Sequence, residues 1–151
     1  MKRTITALGI LFAASLAAAA PPAPAPPAAT GARATPAPGA EVYIIAPQDG
    51  ATVHGPVTVR FGLKGMGIAP AGVKFDNTGH HHLLVDTDFS TVKLDAPMPA
   101  TDKILHFGKG QTETSLTLAP GKHTLELVLA DQQHNSFDPP VHSKKITITV
   151  E

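Results

Sequence analysis

The 151-residue chain has no cysteine, no tryptophan and a single tyrosine. Without cysteine it forms no disulfide, thiolate zinc site, iron–sulfur cluster or thiol nucleophile, and it offers no N-terminal cysteine for lipid attachment. It also lacks an excess of either charge, since 12 Lys and Arg meet 12 Asp and Glu. That balance excludes a strongly basic nucleic-acid binder. Neither G-x-S-x-G nor H-E-x-x-H occurs, and no Ser of the later chain sits in a catalytic motif. Gly108-Lys109-Gly110-Gln111 lacks the full phosphate-loop frame and a following helix, so it reads as a turn.

What is present is unevenly placed. The hydrophobic share of 42% overstates the core, because Ala is concentrated toward the N-terminus. Lys2 and Arg3 precede an uncharged, apolar run from Ile5 to Ala20. This is the layout of a secretory signal peptide and is short for a spanning helix. Small residues at Ala17 and Ala19 put the expected cleavage after Ala19. Residues 1–19 are therefore expected to be a signal peptide, with a periplasmic or secreted product and no membrane span left after cleavage. Residues 20–40 are expected to form a disordered Ala/Pro-rich linker, with seven Pro and eight Ala in 21–40 alone. The domain is expected over 41–151, where nine Lys and Arg meet twelve Asp and Glu for a net charge of −3.

Within 41–151 the hydrophobic period is two. Val57, Val59, Phe61 and Leu63 alternate with Thr58, Arg60, Gly62 and Lys64. Leu125, Leu127 and Leu129 alternate with Thr124, Glu126 and Val128, and Ile146, Ile148 and Val150 with Lys145, Thr147 and Thr149. Further strands are expected at 42–46, 80–86, 104–107 and 112–118, divided by Gly- and Pro-rich turns. About seven short antiparallel strands predict an all-β, immunoglobulin-like β-sandwich. The Cys…Trp…Cys signature of antibody-type domains is missing.

The histidines carry the functional reading. His80, His81 and His82 open a strand, so His80 and His82 project from one face and His81 from the other. Two imidazoles at i and i+2 on a rigid strand reach one ion, and neutral imidazole suits Zn, Cu, Fe and Ni. Alternating strand directions bring His106, His134 and His142 to the same end, with Met66 as a further thioether candidate. His54 and His123 fall at the other end as surface residues. The residues also fit two other roles: hydrogen bonds from the rings to loop carbonyls or to Asp86, Asp88 or Asp131, and a pH response through protonation. The spacing of Asp86 and Asp88 suits a solvated strand end.

Four blocks carry a family resemblance: APQDGATVHGPVTVRFGLKGMGIAPAG (46–72), NTGHHHLLVDTD (77–88), LHFGKGQTET (105–114), and PGKHTLELVLAD followed by DPPV and SKKITITV. Together they resemble the bacterial family known as domain of unknown function 4399. The resemblance implies an exported, compact β domain and supplies no mechanism. Family members often place extra His before DPPV, where this chain keeps His134 but has Gln132 and Gln133 beside it.

These readings converge on a non-catalytic exported binding module. It would hold a transition-metal ion, copper or zinc, through His80 and His82 with His106 or His134. An envelope or cell-wall interaction domain with structural histidines, or a protein partner, is the alternative. A small metal-dependent enzyme is a third.

Overall fold

The computed structural model describes residues 33–151. The expected signal peptide and the linker as far as residue 32 lie outside the described residues. Nine strands follow in order: β1 (Glu41–Ala46), β2 (Thr52–Val53), β3 (Val57–Lys64), β4 (Gly67–Ile68), β5 (Thr78–Val85), β6 (Ile104–Phe107), β7 (Glu113–Leu116), β8 (Gly121–Ala130) and β9 (Ile146–Val150). Among the described residues the only helical segment is a 3-10 turn at Phe89–Thr91. Asp88 caps that turn by accepting from the Ser90 N–H at 2.9 Å. The described residues are therefore all-β, and the seven expected strands are present. No helix of the described residues is long and apolar enough to cross a membrane.

The strands form two sheets. One has the order β1-β3-β7, and the other β2-β9-β8-β5-β4, with β6 also paired to β5. Inward residues of both sheets share one core. Val42, Val57, Val59 and Phe61 come from the first sheet, and Leu83, Leu125, Leu127, Leu129 and Ile148 from the second. The alternation that predicted the strands is the alternation that fills this core: Val57, Val59 and Phe61 are buried while Thr58 and Arg60 are exposed.

Two features lay outside the reach of periodicity. The two-residue strands β2 and β4 join β9 and β5 in parallel. Such short ladders are made by tertiary hydrogen bonds and leave no pattern in the sequence. The segment between β5 and β6 folds back over the outer face of the second sheet. There Leu84, Met98 and Val128 make a small second core, joined by Phe89, Val92 and Ile104. All residues of β5 after Thr78 are buried, on both faces.

The packed chain also begins before the first strand. Arg33 pairs with Asp138 at 3.0 Å. The Asp138 N–H donates to the Ala34 carbonyl at 2.8 Å, and Ala40 packs against the main core. Residues 33–40, expected to belong to the linker, are held against the loop that follows β8.

The shared core sets a stability expectation. Leu127 is fully buried between the sheets, whereas Ile45 is 41% exposed on the outer face of β1. Leu127→Ala should cost about 2–5 kcal/mol of unfolding free energy. Ile45→Thr should change it by about 0.5 kcal/mol or less. Urea unfolding of the two variants checks the difference.

Candidate metal centre

Strand β5 supplies the first two imidazoles. His80 and His82 face outward, between the sheet and the segment that covers it, and both are fully buried. His106 on β6 stands directly across the ladder from His82. On the other side of β5, Ala130 and Val128 oppose His80 and His82. These small and medium side chains leave room for the rings.

The fourth imidazole comes from the turn after β8, and Asp131 shapes that turn. Its Oδ1 accepts from the Gln133 N–H at 2.8 Å and the Asn135 N–H at 2.9 Å. Its own N–H donates to the Asn135 carbonyl, and its carbonyl accepts from the His134 N–H. His134 sits in the left-handed region at φ 69°, which an Asp-anchored turn tolerates. The His134 carbonyl then accepts from Met98 N–H at 2.8 Å, tying the turn to the outer cover.

Four rings converge as a result. His80 Nε2 and His82 Nε2 are 3.1 Å apart. His106 Nε2 and His134 Nε2 are 3.2 Å apart. Ring centroids of His80 lie 5.0 Å from those of His82, His106 and His134. Ligand nitrogens of His80, His82 and His106 all fall within 4.8 Å of one another. His134 stands farthest from His82, with centroids 6.0 Å apart. Ligands bound at ~2.0–2.1 Å in a tetrahedron are roughly 3.3 Å apart. Two pairs already stand near that separation, and closing the four onto one ion needs side-chain adjustment of ångström size.

The protonation state suits ligation. Burial lowers His80 to about 4, assisted by the neighbouring His134 and His106 rings. Burial lowers His82 to about 3, assisted by His80, His106 and His134. His106 is lowered too, by burial and by His134. His80 and His82 are therefore neutral at pH 7, and each keeps one unprotonated ring nitrogen. The Nδ1 atoms of His80 and His82 are buried without a hydrogen-bond partner. A ligating histidine usually donates its second N–H to an acceptor; here packing and the Nε2–Nε2 contact set the ring orientation.

Gly108 makes space for the third ring. A Cβ at that position would stand 2.2 Å from both Cε1 and Nε2 of His106. Gly108 stands in the turn just past β6, and the absence of a side chain there leaves the space that the His106 ring occupies.

The other histidines divide by partner. His81 points into the main core against Phe61, with centroids 5.1 Å apart. Burial lowers it to about 4; the Gln111 backbone opposes the shift, yet neither ring nitrogen is in hydrogen-bonding geometry. His142, expected near the cluster, instead bonds through Nδ1 to buried Glu126 at 2.8 Å and stacks on Phe89 at 4.1 Å. His123, expected as a plain surface residue, donates from Nδ1 to Asp86 and from Nε2 to the Ala119 carbonyl, each at 2.8 Å. His54 is exposed. Met66 packs against the main core. Asp88 accepts from Lys145 at 2.5 Å and Asp131 from its own turn, so neither serves the rings.

This all-β chain with a buried histidine cluster belongs to the family described as Domain of unknown function (DUF4399), whose model matches residues 59–151. No curated protein sequence matches it. Among solved structures, an endo-beta-1,4-mannanase from Thermotoga petrophila aligns at 19% identity and a TM-score of 0.43, covering 74% of this chain. The chain spans only 20% of that enzyme. The fibronectin(III)-like modules of Clostridium thermocellum CbhA align at 12% identity and a TM-score of 0.37, covering 72% of this chain and 92% of theirs.

Buried neutral rings make stability depend on pH. His80, His81 and His82 sit at about 4, 4 and 3 against an ordinary 6.5. Below 6.5 the unfolded chain takes up protons that the folded chain refuses, so stability falls on acidification until the folded values are reached. His123 has the opposite sign. Hydrogen bonds to Asp86 and Ala119 raise it, so its contribution is complete below 6.5 and fades as pH rises through the raised value. In chelator, the urea midpoint should fall steadily from pH 6.5 to pH 4. A flat profile over that range would contradict the buried neutral state of the rings.

Proposed function

We propose that the chain is an exported, non-catalytic binding module of immunoglobulin-like architecture that holds one transition-metal ion, copper or zinc, through His80, His82, His106 and His134. The observation that carries this reading is the pair of Nε2–Nε2 separations, 3.1 and 3.2 Å, within one group of four rings. An all-imidazole donor set without thiolate suits zinc and copper. His80 and His82 form the dry floor and His106 an exposed rim, so an ion has a path in. The Nε2 atoms would hold the ion, and its chemistry there would be that of a bound cation under four neutral donors. Binding is favoured over catalysis by the neighbouring groups. Glu126 and His142 are bonded to each other, and Asp131 to its own turn, so among the described residues these groups are engaged away from the cluster.

Purely structural histidines are the competing reading. They would need oxygen acceptors, which His123 and His142 have and the Nδ1 atoms of His80 and His82 lack. Calorimetric titration of the metal-free chain with Zn(II), Cu(II) and Cu(I) separates the two. One ion per chain should bind with a Kd well below about 0.1 mM, or ~5.5 kcal/mol. No uptake tighter than that by any of the three would end the proposal.

Variants assign the ligands. His82→Ala should weaken binding by about a hundredfold, ~2.7 kcal/mol, because it removes a central donor. Gly108→Ala should weaken it by about tenfold through displacement of the His106 ring, with the backbone amide spectrum otherwise unchanged. His54→Ala should bind as the parent does.

A further inference from the structure

The turn from Asp131 to Asn135 has two sides. One carries His134. The other forms one wall of an open cleft of about 450 Å³, within the usual range for small-ligand sites. The facing wall is the segment 74–78 that leads into β5, and Met66 and Phe137 also line the cleft. Phe137 is buried, so part of the lining is apolar and fixed.

Both walls are held in place. The Gly72 N–H donates to the Gln132 carbonyl at 2.9 Å, and the Gly67 N–H to the Asn77 carbonyl at 2.9 Å. Thr78 Oγ1 donates to the Phe75 carbonyl at 2.7 Å, and Asn77 is in the left-handed region at φ 55°. The backbone on both sides of the cleft is thus fixed by hydrogen bonds of the protein's own.

The side chains on these walls have unspent polar capacity. Lys74, Asp76, Asn77, Gln132 and Gln133 line the cleft. Among the described residues none of the five makes a side-chain hydrogen bond or ion pair. Lys74 and Asp76 balance in charge, and Asp131 is committed to its turn, so the cleft does not select an anion. No arginine is present to read a phosphate or carboxylate in bidentate fashion. What remains is primary amides, which both donate and accept, beside an aromatic ring. Phe75 is 71% exposed, the most exposed large hydrophobic residue described. A sugar ring matches this combination: its C–H face stacks on an aromatic face, while its hydroxyls donate to and accept from amides.

We propose that this cleft binds a neutral saccharide of one or two rings. The proposal does not rest on the metal reading, and its test is run in chelator. The full chain is titrated with cellobiose and, separately, with N,N′-diacetylchitobiose to about 10 mM, while side-chain amide NMR signals are followed. Saturable shifts at Asn77, Gln132 and Gln133 with either disaccharide support the proposal, and the one that binds tells plain from N-acetylated sugars. Phe75→Ala and Gln133→Ala should each weaken binding by at least about tenfold. Both side chains are exposed, so the fold is retained in the variants. Absence of a saturable shift with both sugars overturns the proposal. So does parent-like binding by Phe75→Ala, or saturation by triglycine but by neither sugar.

Discussion

The structure depends on one strand being dry on both sides. A β-strand shows alternate residues to opposite faces, and a strand in a two-sheet protein ordinarily leaves one face wet. In β5 the inner face meets the other sheet, and the outer face is covered by the returning segment after Val85. Three consecutive histidines thereby lose water together, although they point in two directions. Their low basicity, their neutrality at pH 7 and the orphaned Nδ1 atoms all follow from that covering. Were the outer face open, His80 and His82 would be ordinary solvated histidines, while His81 would stay buried against Phe61.

Legibility in the sequence followed the physics of each feature. Strand alternation is a local property, so Val57–Lys64 and Leu125–Leu129 declared themselves through their own residues. The two faces of the triple histidine were legible for the same reason. His106 was placed by strand direction alone, and its register opposite His82 agrees with that placement. His142 does stand level with His82 across β8, but its partner Glu126 and the Asp86 partner of His123 lie 16 and 37 residues away and leave no local signal. Buried Glu126 reads as solvent-facing in a strand pattern, since alternation cannot reveal that a loop returns to cover the outer face. Gly108 carries only a turn signal in the sequence, because the need for space beside the His106 ring exists only after the strands are assembled.

The Asp131 turn joins the parts that alternation left separate. A single carboxylate organises the backbone from Gln133 to Asn135, and that backbone aims His134 toward His106. The same turn is tied to the segment before β5 through Gly72 and to the cover through Met98. The next residues, Phe137 and Asp138, hold Arg33 and Ala34. A short loop thus fastens the N-terminal approach, the outer cover and one imidazole. Loss of the Asp131 carboxylate would leave the Gln133 and Asn135 N–H groups without their protein acceptor. The turn would loosen in all its attachments at once.

Energetics distinguish the four convergent rings from the paired ones. His123 and His142 meet oxygen acceptors, and a carboxylate–imidazole contact stabilises the fold in the ordinary way. The buried pair on β5 has no such compensation. Whichever Nε2 donates between His80 and His82, the accepting ring must carry its proton on an Nδ1 that meets no acceptor. Leucine and valine in their place would fill the same cover without that penalty. A fold that needed only packing would therefore be better served by apolar residues at 80 and 82. A ring N–H left without an acceptor in a dry site is a cost that moving the proton to Nδ1 on both rings, with both Nε2 atoms turned to a cation, would be set against. This asymmetry is a second physical ground, beside proximity, for the proposed binding role of the cluster.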